Sequence, residues 1–120
     1  KLEVSWQLPD ENTMYDMVIT ALTLQSVLEK MLLNVVEMTT ETIYISIKVT
    51  WQQHQVAIKI AVELPKKTLI INHELRQHMD FYIQAERLRA YFGQNANIKS
   101  KVTTTQIITI INYPLHDVGL

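Results

Sequence analysis

The sequence predicts an α+β fold: a two-layer α/β sandwich in which helices cover one face of a mostly antiparallel mixed sheet. Two observations indicate this fold. Segments with apolar residues at helical spacing are separated by segments in which apolar and polar residues alternate strictly. The resulting order is strand, helix, strand, strand, helix, strand, strand, which is typical of helices packed on one side of a sheet.

The first half of the chain supplies a strand, a helix and a hairpin. Leu2 to Leu8 alternates and predicts an edge or half-buried strand. From about Thr20 the apolar residues follow helical spacing and form one wide apolar face, made of Leu22, Leu24, Val27, Leu28, Met31, Leu32 and Val35. The segments TIYISIKVTW and QVAIKIAVEL flank the polar turn QQH. They predict an antiparallel hairpin with Ile43, Ile45, Ile47 and Val49 on one buried side.

The second half repeats this alternation of element types. His73 to Phe92 has helical composition, and Gly93 follows it where a helix end favours a residue with positive φ. Two last strands, ANIKSKV and TQIITIINY, precede Pro114. Four aromatic residues of the second helix, Phe81, Tyr82, Tyr91 and Phe92, are mostly expected to pack on the sheet. Its charged run of Glu86, Arg87 and Arg89 indicates a solvated face, with a docking surface as the alternative.

The composition of the chain limits the classes of protein to which it could belong. The chain has 120 residues, 48% of them hydrophobic and 19% charged, with a net charge of −1. We expect one soluble domain over residues 1–120, which could be a fragment of a longer protein. The scattered charges predict no nucleic-acid binding, and the short apolar runs predict no membrane contact. No cysteine is present, which excludes thiol catalysis, and no targeting segment is recognised, so we expect a cytoplasmic location.

Glycine is the most informative count. The chain holds two, Gly93 and Gly119, whereas average usage is about 7%. Loops that wrap phosphates need glycine, because their backbone adopts positive φ and approaches the ligand closely. The sequence therefore offers no glycine-rich phosphate loop.

Several strings together resemble the ATP-binding domain of sensor histidine kinases, which shares the Bergerat fold of gyrase and the Hsp90 chaperones. LQSVLEKMLLNVVEMT looks like the leucine-rich N-box helix of that family, and Asn34 falls on its magnesium-chelating asparagine. The hairpin resembles the one that ends in the adenine-reading Asp-x-Gly. ERLRAYFGQNANIKS and TQIITIINYPL resemble the last helix with its glycine and the terminal strand. The resemblance runs from the first strand to Leu115 and implies this fold.

The departures from the family pattern fall in its nucleotide site. Val62, or alternatively Glu63, stands where the adenine-reading aspartate is expected, and no glycine follows. Met79 to Tyr82 replaces the phosphate-cradling glycines, and the ATP lid is reduced to roughly Leu64 to His78. Lys30 replaces a polar residue one turn before Asn34, where a cation repels a magnesium ion. Asn34 and Lys30 are therefore candidate nucleotide-site residues of a vestigial kind. The alternative for Asn34 is a polar residue near the helix end that is hydrogen-bonded to neighbouring backbone.

No other catalytic or metal site is predicted. His73 and His78 are five residues apart, whereas a helical metal pair needs a spacing of four. We expect surface or capping histidines there, and no partner is visible for His54 or His116. The serines lack a glycine elbow, so nucleophilic catalysis has no support.

These observations favour a degenerate histidine-kinase-like domain that has lost ATP binding and acts as an interaction or regulatory module in bacterial signal transduction. We expect no catalysis and no cofactor. The partner is expected to be a protein such as a response regulator or a kinase domain, and a homodimer remains open. One alternative is a nucleotide-binding kinase domain that uses ATP and magnesium through Asn34 and Lys30 in an altered mode. Another is an unrelated α+β structural module.

Overall fold

A computed structural model describes residues 2–7, 17–38, 41–64 and 80–114. They form two helices and five strands in the predicted order. The elements are β1 (Leu2–Gln7), α1 (Met17–Met38), β2 (Ile43–Gln52), β3 (Gln55–Glu63), α2 (Tyr82–Phe92), β4 (Asn97–Val102) and β5 (Gln106–Pro114).

The strands form one mixed sheet in the order β1-β2-β3-β5-β4. β1 pairs with β2 in parallel, and the other three pairings are antiparallel. The parallel pairing follows from the connection, since a helix between two strands returns the chain to the same end of the sheet. The predicted α+β architecture with a mostly antiparallel mixed sheet is confirmed.

The core lies between the helices and one face of the sheet. Alternate residues of β2, β3 and β5 point toward the helices and are almost inaccessible to solvent, as the alternation predicts. The register aligns them in rows, for example Ile47 with Ile60 and Ile60 with Thr109. From the helices, α1 contributes Leu24, Val27, Met31 and Val35, and α2 contributes Ala85, Leu88 and Phe92.

The opposite face of the sheet, here called the open face, carries the residues between those of the core. Ser46, Lys48 and Thr50 of β2 and Lys59 of β3 are exposed there. Because side chains alternate along a strand, one face packs on the helices while the other meets solvent. The hairpin prediction is thereby confirmed in both its pairing and its buried side.

Two turns depend on positive φ. The β2–β3 hairpin turns at Gln53 and His54, with φ of 51° and 64°. Two central residues in the left-handed region match the tight two-residue turns whose twist suits antiparallel strands. Gly93 ends α2 with φ of 95°, which confirms the predicted glycine at the helix end.

The helix boundaries differ from the prediction. α1 begins at Met17 and not near Thr20. The predicted helix from His73 to Phe92 is wrong as a continuous element, because Asp80 and Phe81 are not helical and α2 begins at Tyr82. The apolar spacing of the sequence continues through Phe81 and therefore gave no sign of this boundary, where Asp80 accepts a hydrogen bond from the backbone N–H of Tyr82, the first residue of α2. Of the predicted lid, roughly Leu64 to His78, only Leu64 is described and it belongs to the core, whereas residues 65–79 lie outside the described part of the chain.

Candidate functional site

The two candidate residues lie on the same helix. Lys30 and Asn34 both belong to α1 and are one turn apart. The side chain of Asn34 is outside the described part of the structure, so its predicted role as a vestigial magnesium ligand stays a prediction. Lys30 is partly buried, and its contacts define the region between the helices.

Lys30 connects α1 to the start of α2. Its ammonium donates a hydrogen bond to the backbone carbonyl oxygen of Asp80. The same nitrogen lies 5.5 Å from the centroid of the Phe81 ring, a distance at which a cation is attracted by the face of an aromatic ring. The lysine therefore crosses between the two helices and contacts a backbone acceptor and an aromatic face.

The N-terminus of α2 is hydrogen-bonded to the side chain of a residue that lies just before the helix. Oδ1 of Asp80 accepts a hydrogen bond from the backbone N–H of Tyr82 at 3.0 Å. The first N–H groups of a helix have no partner within the helix, and a carboxylate or a phosphate stabilises them. Phe81, between these two residues, is only 5% exposed. The carboxylate of Asp80 therefore already accepts one N–H group at the N-terminus of α2, and the buried ring of Phe81 lies next to it.

A second polar contact joins the helices. Nε2 of Gln84 donates to Oγ of Ser26 at 3.0 Å. Together with Lys30, Asp80 and Phe81, this pair forms what we call the helix junction. Sequence reasoning missed the roles of Asp80, Ser26 and Gln84. Asp80 lies one residue before the N-cap position, Phe81, where a capping side chain is usually found, so its local signal is weak, and a contact between residues 26 and 84 leaves no local pattern.

The position at which the family resemblance expects the adenine-binding aspartate holds a core residue. Val62 is completely buried on the helix-facing side, in register with Ile45 and Ile107. Glu63 is exposed on the open face, away from the helices. Two residues after Val62, where Asp-x-Gly has its glycine, Leu64 packs into the core and donates its N–H to Thr105 at 2.8 Å. Neither Val62 nor Leu64 offers the carboxylate or the open backbone of the family motif.

Two grooves lie on the open face. One of about 240 Å³ is lined by residues that include Glu3, Tyr44, Glu63 and Gln106. Another of about 380 Å³ lies near the hairpin and is lined by residues that include Gln53, Gln55 and Asn112. Neither contains a residue of α1 or α2, so both are separate from the helix junction.

No metal centre is formed by the residues that the structure describes, among which no three His, Asp or Glu side chains group together. His54 is exposed in the hairpin turn, as expected of a surface histidine. His73, His78 and His116 lie outside the described residues.

The solvent side of α2 carries large apolar residues. Phe81 and Phe92 are buried, as predicted, but Tyr82, Ile83 and Tyr91 are each more than 60% exposed. The prediction that most aromatic residues of this helix pack on the sheet is thus right for the two phenylalanines and wrong for the two tyrosines. Glu86 and Arg89 form an ion pair at 2.9 Å, and Arg87 is exposed, an arrangement that fits both the predicted solvated face and the alternative of a docking surface.

Solved histidine kinase domains share this architecture. The nucleotide-free catalytic domain of the histidine kinase ThkA superposes with a TM-score of 0.58 at 12% identity, over 94% of this chain and 78% of that one. The blue-light activated histidine kinase EL346 of Erythrobacter litoralis gives 0.57 at 13% identity, over 98% of this chain and 36% of that one. ThkA in complex with the response regulator TrrA gives 0.55 at 14% identity, over 96% and 34%.

Comparison of the sequence gives no match: no protein-family model and no curated protein matches the chain. In the described part, neither helix is long and apolar enough to cross a membrane. The chain has the histidine-kinase-like ATPase fold, and the resemblance recognised in the sequence is confirmed at the level of the fold.

Proposed function

We propose that this chain is a degenerate histidine-kinase-like ATPase domain that does not bind ATP and acts as a protein-interaction or regulatory module in bacterial two-component signalling. The kinase fold supports the signalling context. The loss of nucleotide binding is inferred from the contacts of the helix junction and of the end of β3.

The observation that carries this proposal is the set of contacts made by Lys30 and Asp80. A helix N-terminus attracts anions such as phosphate through its free N–H groups. In this chain the carboxylate of Asp80 accepts one of those N–H groups at 3.0 Å. Lys30, the cation nearest to Asn34 on α1, is bound to the Asp80 carbonyl and covers Phe81. A triphosphate entering here must displace these contacts and also meets a carboxylate of like charge.

The end of β3 supports the same conclusion independently. Val62 has no exposed surface and Leu64 is 9% exposed, so both belong to the core. An adenine ring needs a hydrogen-bond acceptor for its amino group, which valine lacks. Placing an aspartate at position 62 would bury a charge among isoleucines, which is costly without a partner.

A role in protein interaction is supported by the surface of α2. Tyr82, Ile83 and Tyr91 are 66%, 62% and 62% exposed. At about 100° per residue, Ile83 lies near the middle of the solvent side of α2 and the two tyrosines lie on its opposite flanks, so the three residues are available for contact with a partner. ThkA was solved in complex with a response regulator, so a response-regulator receiver domain is the partner class that we propose first. We propose a cytoplasmic location on the same grounds.

Thermal-shift measurements test the loss of nucleotide binding. The unfolding temperature of the wild-type chain is measured with and without millimolar ATP or ADP and magnesium, beside Asn34→Ala and Lys30→Ala. Ligands that bind only the folded state raise this temperature, and we expect no rise in any of the three. A rise in the wild type that is absent from both variants would instead support the alternative mode through Asn34 and Lys30.

Fluorescence anisotropy tests the proposed partner class. Labelled, purified receiver domains are titrated with the wild-type chain and with Tyr82→Ser/Tyr91→Ser. Saturable binding that weakens in the double variant supports docking on α2, and Lys59→Ser on the open face is the control. Binding that is equal in all three proteins would exclude α2 as the surface.

A further inference from the structure

The two edges of the sheet are built differently. β4 is one edge, and its residues Lys99 and Lys101 are exposed. Lysines on an edge strand discourage pairing with another chain. β1 is the other edge, and among the described strands it is hydrogen-bonded to β2 alone. Residues 2–7 hold no lysine and no proline, so this edge lacks the protection that β4 has.

The apolar side chains of β1 lie on the same face of the sheet as the core, but they are partly exposed to solvent. Leu2, Val4 and Trp6 are 47%, 43% and 52% exposed. They are in register with Ile43, Ile45 and Ile47, which are at most 4% exposed. Residues in register share a face, so β1 extends the buried rows of β2 into an exposed ribbon on the helix-facing side.

The sequence of β1 is complementary to itself in one antiparallel register. When two copies pair with Val4 opposite Val4, Leu2 of each copy lies opposite Trp6 of the other. All six apolar side chains then share one face. On the other face Glu3 lies opposite Ser5, so no like charges meet. A two-fold axis requires such self-complementarity, because the same patch serves both partners.

We propose that the β1 edge is a homodimerisation site, at which β1 pairs antiparallel with β1 of a second copy and joins the two sheets into one. The site lies on the sheet edge, away from the helix junction, and does not depend on the loss of nucleotide binding. One short ladder and six apolar side chains make a small interface. We therefore expect a reversible dimer with a dissociation constant on the order of 100 µM, in the weak class of interfaces.

Analytical ultracentrifugation of three proteins tests this site. Wild type is compared over a concentration series with Val4→Lys, which sets lysine opposite lysine on the axis, and with Ser5→Lys, which sets lysine opposite Glu3 of the second copy. Both variants place the same residue on the same exposed strand, and circular dichroism verifies that each is folded. We expect dimerisation to weaken at least about tenfold in Val4→Lys and to be affected far less in Ser5→Lys.

Cross-linking gives an independent readout, because the chain has no cysteine of its own. Val4→Cys places two thiols opposite each other, at a separation close to that of a disulfide. Ser5→Cys places them on neighbouring positions of the other face. Mild oxidation should give a covalent dimer much faster for Val4→Cys. A wild-type chain that stays monomeric at millimolar concentration, equal dimerisation of all variants in the centrifuge, or equal cross-linking rates would overturn the proposal.

Discussion

The middle of the sheet and the helix junction are held together in different ways. The helix-facing rows of β2, β3 and β5 are almost entirely aliphatic and inaccessible to solvent. The junction contains a few polar contacts, centred on Lys30 with Asp80 and on Ser26 with Gln84. Apolar burial provides most of the stability of a domain, and isolated polar contacts add little. The fold can therefore persist while the residues at the junction change.

This difference shows how the proposed loss of nucleotide binding would be compatible with the retained fold. Of the positions where the family resemblance places nucleotide-site residues, Val62, Leu64 and Phe81 belong to the core. At the junction, Lys30 and Asp80 make polar contacts with the chain itself. Substitutions in the sheet core should consequently lower the free energy of unfolding more than substitutions at the junction.

Truncation in the sheet core should have the largest effect. Ile60 is fully buried, between Ile47 and Thr109. Ile60→Ala should lower the free energy of unfolding by about 2–5 kcal/mol, from lost burial and the remaining cavity. Urea unfolding followed by circular dichroism measures it. The neighbouring Lys59→Ala on the open face is the control and should change stability by less than about 0.5 kcal/mol. Similar losses in the two variants would contradict the assignment of the buried face.

The buried polar residue of the described core, Thr109, should have an intermediate effect. Thr109 is fully buried, and its Oγ1 lies 3.0 Å from Oγ of Ser100. Thr109→Val should cost about 1 kcal/mol, because the hydroxyl of Ser100 loses its partner. Adding Ser100→Ala should recover part of this loss, since both polar groups are then absent. A double-mutant cycle by urea unfolding measures the coupling, and additive losses would show that the two hydroxyls do not interact.

The helix junction should have the smallest effect on stability. Lys30→Met keeps the aliphatic chain but removes the hydrogen bond to Asp80 and the attraction to Phe81. Because the lysine is partly exposed, we expect a loss of only about 0.5–1 kcal/mol. Thermal unfolding measures it, with Lys48→Met on the open face as control. A loss as large as that of Ile60→Ala would mean that the junction, and not the sheet, dominates stability.

Much of the sheet was predictable because burial alternates along a strand with the same two-residue period as the apolar residues in the sequence. Strict alternation in β2 and β3 identified Ile45 and Ile47 as core residues, and helical spacing did the same for Val27 and Met31.

The contacts of the site were not predictable in the same way. Lys30 and Asp80 are 50 residues apart, and only the packing of α2 against α1 brings them together. The break before α2 was missed because Phe81 continues the apolar spacing across it. The first strand was predicted as an edge or half-buried strand, and β1 does lie at a sheet edge. Alternation alone could not show how exposed Leu2, Val4 and Trp6 are, since it identifies a shared face but not whether anything covers it.

Isothermal titration calorimetry of the wild-type chain with magnesium and ATP tests the central claim most directly. A nucleotide-binding histidine kinase domain, titrated under the same conditions, serves as the positive control. Because Asp80 and Lys30 occupy the helix junction and Val62 and Leu64 belong to the core, we predict no saturable heat up to millimolar nucleotide. Saturable binding with micromolar affinity, lost in Lys30→Ala and Asn34→Ala, would contradict the account.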